Sequence, residues 1–340
     1  MRQDQTQSSA LPGIGATLAA GFDLTTKHIW LLVFPVLLDL FYWLGPRLSF
    51  TNLFQNFIQL QQAQAADNPF LSDFSSQLLT DIPATNLYSM LSLPFIGVPT
   101  LMAGLPESSP LAPSVVEIQS WSSWLSFLVV LVVVGLLLTT LFFILVGRVA
   151  GKRVAAGVVS RGSETVVLPI SLSAAETWDT TEIVSRLRHA WPRLLVLLFA
   201  AFLFLMALYI PASIVGVVAM AFVGPFGLVA VLLIVPFVAT WLVLYLFFVP
   251  HGLTQNGRSL RRAVVESAKL VHSQLHVTIT FLLSIWIINA LVDMVLVLAD
   301  DGSWFALIGI LGHAFISTAM ILATFIFYQA RYTQLYPENY

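Results

Sequence analysis

The chain of 340 residues contains no cysteine. Disulfides, thiolate nucleophiles and Cys-ligated zinc or iron–sulfur sites are therefore excluded together. Charge is scarce as well, with 9% of residues charged against 58% hydrophobic. That ratio excludes a water-soluble globular domain and an intrinsically disordered chain. A Walker phosphate loop, a dinucleotide-binding glycine pattern, a protein-kinase motif set and a nucleophile elbow are also missing. No cofactor and no nucleic-acid partner is expected.

What the chain does contain is long apolar runs. Six can be drawn without using charge, at 29–45, 121–147, 194–222, 228–249, 277–298 and 305–328. Each is about long enough to cross a hydrocarbon core of roughly 30 Å at about 1.5 Å per residue. They read as helices, because a barrel strand would turn polar at every second position. The expectation is one all-α integral membrane domain over 1–340 with six transmembrane helices. The basic residues then orient it. With both termini in the cytoplasm, fourteen of the fifteen Lys and Arg residues lie inside and only Arg47 lies outside. Basic residues are retained on the cytoplasmic side during insertion, so span count and orientation support each other. In this reading 46–120 is an extracytoplasmic loop, and 148–193 and 250–276 are cytoplasmic. The outer side carries Asp67, Asp73, Asp81, Glu107, Glu117, Asp300 and Asp301, and is acidic. The basic inner side suits anionic lipid headgroups as partners. The first run begins 28 residues in, and Trp43-Leu44-Gly45-Pro46-Arg47 lacks a small-residue cleavage site. It reads as an uncleaved signal anchor, and a bacterial inner (plasma) membrane is the economical location.

The chain reads as three hairpins, each preceded by a cytoplasmic in-plane amphipathic helix. Segment 11–27 spaces Leu11, Ile14, Leu18 and Phe22 along one face. Segment 181–193 places Ile183, Leu187 and Trp191 together, with Arg186, Arg188 and His189 beside them. Segment 259–276 aligns Leu260, Val264, Ala268, Val271 and Leu275, with Arg261, Arg262, Lys269 and His272 on the remainder. The plainer alternative is that any inner-membrane loop of this length acquires basic amphipathic character. Within the outer loop, 48–60 is amphipathic. Segment 90–105 is apolar but interrupted by Pro94 and Pro99, which points to a dip into the outer leaflet or a cap on the bundle. Inside, 164–172 has weak strand character.

The run Asn256-Gly257-Arg258-Ser259-Leu260-Arg261-Arg262-Ala263-Val264-Val265-Glu266-Ser267-Ala268-Lys269-Leu270-Val271 leads into an apolar hairpin. It resembles the recurring cytoplasmic helix of a loose group of polytopic bacterial membrane proteins. That group includes the membrane domain found ahead of some glycerophosphodiester phosphodiesterases. Phe34-Pro35-Val36-Leu37-Leu38-Asp39-Leu40 resembles the same group. Only 329–340 follows the last run, so the phosphodiesterase catalytic domain is expected to be absent. The resemblance implies a fold rather than a reaction.

Three ionisable residues lie within the runs: Asp39, Asp293 and His313. Counted along their helices, all three fall about 8–12 Å below the outer boundary. A charged, unpaired Asp at a helix centre costs roughly 2.5–3.5 kcal/mol, so inward-facing partners are expected. One reading is a proton-exchanging site for transport. The other is a polar clasp that fixes helix register. Pro35, Pro211 and Pro236 break helical hydrogen bonds within the runs and read as kinks or as exposed backbone in a binding site. His28, His189, His251, His272 and His276 fall at the cytoplasmic interface. His272 and His276 are spaced like metal ligands but have no third partner, so no metal is expected. Arg258, Arg261, Arg262 and Lys269 are the candidates for lipid headgroups. Taken together, the sequence points first to a non-enzymatic lipid-contacting scaffold or assembly subunit. A small transporter or channel comes second. A lipid-processing enzyme comes third, since no catalytic cluster meets at either interface.

Overall fold

The computed structural model describes residues 11–64, 86–93, 97–104, 109–155, 180–296 and 302–336. The chain is mostly helical. In chain order the helices are α1 (Ile14–Lys27), α2 (Val33–Leu44), α3 (Thr51–Gln64), α4 (Trp121–Ala155), α5 (Thr180–Val223), α6 (Pro225–Leu246), α7 (Val249–Gln255), α8 (Leu260–Ser273), α9 (Leu275–Leu296) and α10 (Ala306–Leu335). Short strands β1 (Arg47–Ser49) and β2 (Val115–Glu117) and single 3-10 turns at Ile29–Leu32 and Leu87–Leu91 complete the described elements. Among the described residues, five helices are long and apolar enough to cross a membrane. The number rises to six if the bent pair Ile14–Lys27 and Ile29–Leu44 counts as one span.

Local chemistry explains several boundaries. The Ser120 hydroxyl accepts the Ser123 N–H at 3.2 Å and caps the start of α4. The turn between α5 and α6 passes through Gly224 at φ 74°, which a side chain would strain, and Pro225 then opens α6. At Gln274 the backbone leaves helical geometry, so α8 and α9 are separate helices.

The expected break between 181–193 and the span that follows is absent. Both belong to α5, 44 residues long with Pro192 and Pro211 inside it. At 1.5 Å per residue this helix extends about 66 Å, roughly twice a hydrocarbon core. A proline removes one intrahelical donor, and in an otherwise leucine- and alanine-rich helix that loss bends the chain more readily than it ends it. The in-plane helix expected before the third run is therefore not detached from it.

The chain divides into two compact units. The first comprises Met1–His28, Ile144–Ser284 and Ala319–Tyr340. Here Gly21 brings α1 against the backbone of α10 at Ala319 and the side chain of Ala323, leaving no room for a Cβ. Phe281 stacks on Phe327 with centroids 4.0 Å apart. The hairpin of α5 and α6 is covered differently. None of the most apolar window of the α6 span is buried and only 6% of that of α5, against 61% for α10. Phe222 and Phe226 at its turn are 85% and 84% exposed. Such surface is stable only against acyl chains or another apolar partner.

The second unit comprises Ile29–Phe143 and Ile285–Thr318. The segment between α2 and α4 is closed at its base, because Arg47, Leu48 and Ser49 pair in parallel with Val115, Val116 and Glu117. That sheet has no counterpart in the sequence pattern, and it removes Leu48 from the amphipathic stretch expected at 48–60, whose helix starts at Thr51. Strands of three residues carry too short an alternation to be recognised in isolation. Leu48 buries with Leu87, Ile118 and Leu131. Gly135 in α4 lets the backbone of Leu91 approach, so that a Cβ there would lie 2.6 Å from the Leu91 carbonyl oxygen. Leu101 and Met102 pack with Tyr42, Trp43, Ala306 and Ile310, so the proline-broken segment covers apolar side chains of α2 and α10. Pro94 and the strand-like stretch 164–172 lie outside the described residues.

Candidate functional sites

In the second unit, α9 and α10 present two polar pairs one helical turn apart. Asn289 and Asp293 stand on α9, and His313 and Ser317 on α10. The Asp293 Oδ1 and His313 Nε2 atoms are 3.5 Å apart. His313 Nε2 is 3.1 Å from the Ser317 hydroxyl, which also donates to Asn289 Oδ1 at 3.4 Å. The His313 side chain is 8% exposed and that of Asp293 45%. Among the described residues, neither His313 Nδ1 nor Asp293 Oδ1 has a hydrogen-bond partner. The Asp293–His313 approach thus falls within the range of an ion pair but is too long for a hydrogen bond. Reasoning from sequence found Asp293 and His313 but missed Asn289 and Ser317. Their i, i+4 spacing from the ionisable pair was the available signal.

Asp39 has another role. It is fully buried, and its Oδ1 accepts the Met102 N–H at 2.8 Å, while Oδ2 is buried without a partner among the described residues. Beside it the Tyr42 and Ser92 hydroxyls meet at 2.9 Å. Among the described residues no hydrogen bond or ion pair joins Asp39 to Asp293 or His313. The expected three-residue level therefore separates into a pair and an isolated carboxylate. Depth along a helix follows from counting residues, but it carries no information about azimuth. Asp39 holds the segment between α2 and α4 at Met102, a backbone partner that a search for complementary charges passes over.

The first unit gathers its polar side chains around α7 and α8. His251, expected at the interface, is 3% exposed, with Nε2 2.8 Å from the Thr324 hydroxyl. Asn256 donates to the Tyr328 hydroxyl at 3.0 Å. Gly257 follows at φ 60°, turning the chain toward α8. Arg258 Nη2 donates to the Tyr332 hydroxyl at 2.6 Å, and its Nε lies 3.6 Å from Glu266 Oε2. Arg262 Nε donates to Glu266 Oε1 at 2.7 Å. Arg193 and Arg186 of α5 donate to the carbonyls of Arg258 and Gln255 at 2.9 and 3.1 Å. Ser267 donates to the Tyr245 carbonyl at 2.7 Å.

These bonds determine which face of α8 is covered. Its buried residues are Ala263, Glu266, Ser267, Leu270 and Val271. Of the stripe expected to be apolar and membrane-facing, only Val271 is among them. The physical reason is Glu266: a carboxylate enters a protein interior when guanidiniums accompany it, and two do. Glu266 in turn holds the exposed Arg262 guanidinium above its usual range. Burial, then the Glu266 charge, pushes the Tyr336 phenol up. The four headgroup candidates therefore divide. Arg258 and Arg262 are drawn to Glu266, whereas Arg261 and Lys269 are exposed and make no ion pair among the described residues. His272 and His276 fall on different helices across the break at Gln274, which disrupts their metal-like spacing. No group of three potential metal-ligating side chains occurs among the described residues. Arg331, 3% exposed, lies with its guanidinium carbon 3.4 Å from the Phe327 ring centroid.

Comparisons with protein-family models, with curated proteins and with solved structures find no match for this chain.

Proposed function

We propose that the protein is a non-enzymatic, lipid-contacting scaffold or assembly subunit of the bacterial inner membrane. It crosses the bilayer six times as three hairpins, with both termini cytoplasmic. The observation that carries this reading is the network around Glu266. Its hydrogen-bonding groups meet one another and neighbouring backbone carbonyls rather than converging on a reactive centre. Such a network stiffens the base of a bundle. The uncovered α5–α6 hairpin supports the same reading, since it offers apolar surface to lipid or to a partner helix. The resemblance of 256–271 to polytopic bacterial membrane proteins is part of this proposal.

The orientation is tested on single-cysteine variants, which the cysteine-free chain makes clean. A membrane-impermeant thiol reagent added outside should label Ser76→Cys and spare Ser273→Cys. Equal labelling of both rejects the topology.

A second reading, a small transporter, is favoured by one observation: half-exposed Asp293 stands beside His313, whose Nδ1 has no partner among the described residues. Reconstitution into sealed liposomes under a pH gradient separates the two readings. The scaffold reading expects no flux beyond that of empty vesicles. Flux that disappears in both Asp293→Asn and His313→Leu overturns it.

A further inference from the structure

Between the ends of α6, α8 and α10 in the first unit lies an open groove of about 600 Å³. It is lined by Tyr245 of α6, Ala268, Lys269, His272 and Ser273 of α8, and Leu335 and Tyr336 at the end of α10. Its size falls within the roughly 300–1,000 Å³ typical of small-molecule sites. Three properties narrow the occupant. The lining is mostly apolar surface, as an acyl chain requires. It includes a lysine and a histidine but no carboxylate, and among the described residues neither Lys269 nor His272 has a hydrogen-bond or ion-pair partner. The acid nearest in sequence, Glu266, is already engaged by Arg258 and Arg262. The Tyr245 and Tyr336 phenols add the amphipathic rims found where a membrane meets water.

We propose that this groove binds one anionic phospholipid, with an acyl chain along Tyr245, Ala268 and Leu335 and the headgroup phosphate on Lys269 and His272. The inference rests on the lipid-contacting reading above and sharpens it. Recognition belongs to Lys269, not to the arginines that Glu266 holds. An ammonium and an imidazole supply N–H donors to phosphate oxygens, and the ammonium is not diverted by an internal carboxylate. A zwitterionic lipid carries its own cation and gains less from the same lysine. His272 also lies in the last turn of α8, where a cation stabilises the helix end. The test must therefore separate lipid binding from stability.

Native mass spectrometry of the full chain in detergent, with phosphatidylglycerol or phosphatidylcholine of matched chains, provides the readout. The wild type should retain one phosphatidylglycerol in preference to phosphatidylcholine. Lys269→Gln with His272→Gln should lower that retention about fivefold or more, the scale of one basic residue near an anionic surface. Arg261→Gln, exposed and outside the lining, should leave it unchanged. Ala268→Trp, which fills the groove, should displace the bound lipid. Because that variant introduces bulk, its outcome is weighed only beside the two exposed polar substitutions, which disturb no packing. If Lys269→Gln with His272→Gln lowers thermal stability but retains phosphatidylglycerol as the wild type does, the two side chains serve the helix itself and the site is rejected. If retention instead falls only in Arg261→Gln, the groove is rejected while lipid contact stands. Equal retention of both lipids by every variant would reject the groove and the anionic-lipid reading together.

Discussion

Glu266 and Asp293 are both helical carboxylates, and the two units treat them differently. The Glu266 side chain is 5% exposed and lies within 4 Å of two guanidiniums. That of Asp293 is 45% exposed and faces one imidazole at 3.5 Å. A buried carboxylate requires compensation from nearby cations and donors, and the first unit supplies it from α8 and the turn that precedes it. The second unit supplies only a histidine, which is a cation only when protonated, so Asp293 stays at the surface of its helix pair. The contrast indicates that the first unit uses charge as structure. The second keeps an acid only loosely engaged, which is why the transport reading attaches to it.

Breaking the stronger cluster should have the largest effect. Glu266→Ala leaves the mostly buried Arg258 without its carboxylate, and stranding a buried charge is the costliest of these changes, whereas the half-exposed Arg262 returns to solvent and adds little. Thermal unfolding in detergent should show a large fall in midpoint. An unchanged midpoint would mean that the arginines are satisfied by solvent or lipid, and the contrast between the units would vanish.

Next in size is a packing change in the second unit. Gly135→Ala forces a Cβ to within 2.6 Å of the Leu91 carbonyl oxygen. Overpacking of this type costs about 1–3 kcal/mol. Proteolysis should open the segment between α2 and α4 of this variant sooner than that of the wild type. Equal cleavage rates would show that Leu91 is not held against α4.

The loosely engaged pair should respond less. Asp293→Asn and His313→Leu should each lower stability, and the double variant should recover part of the loss, with a coupling of about 0.6–2 kcal/mol typical of polar contacts in membranes. Strict additivity across that cycle would leave Asp293 without a partner. A coupling as large as the Glu266 effect would erase the difference between the two units.

The smallest change is expected at Glu182 and Arg186, an exposed i, i+4 pair at 2.9 Å with both side chains 44% exposed. Such surface pairs contribute about 0.3–0.5 kcal/mol. Glu182→Gln should shift the midpoint barely, and even less at high salt. A drop comparable to that of Glu266→Ala would show that exposure does not distinguish the clusters.

Much of the helical content was legible because it depends on composition along the chain. An apolar run of some twenty residues has few ways to satisfy its backbone in a hydrocarbon environment other than as a helix. The separate helix at 14–27 and the one at 260–273 were visible in their apolar spacing. The continuous α5 was not, because Pro192 and the basic residues around it look like a boundary. Whether a proline ends a helix or only bends it depends on what the flanking turns pack against. Here Arg186 and Arg193 are anchored to backbone carbonyls of residues 255 and 258.

The candidate sites were less legible. Asp293 and His313 could be paired in advance because a short turn joins their helices and hydrophobic depth is a linear quantity. Asp39 could not be placed, since its partner is a backbone N–H 63 positions away. Glu266 went unnoticed among basic neighbours, although its i, i+4 spacing from Arg262 was visible. His251, read as interfacial, meets Thr324 across 73 positions in the buried part of the first unit.

The sequence alone determined that this chain is helical, rich in spans and unable to use thiol chemistry. Those properties follow from local composition, backbone hydrogen bonding and the absence of one residue type. Tertiary structure decided the face α8 turns inward, the cations that Glu266 leaves unengaged, and the different partners of Asp39 and Asp293. Each of these depends on azimuth and long-range contact. Neither quantity is carried by the order of residues along a helix until another helix is packed against it.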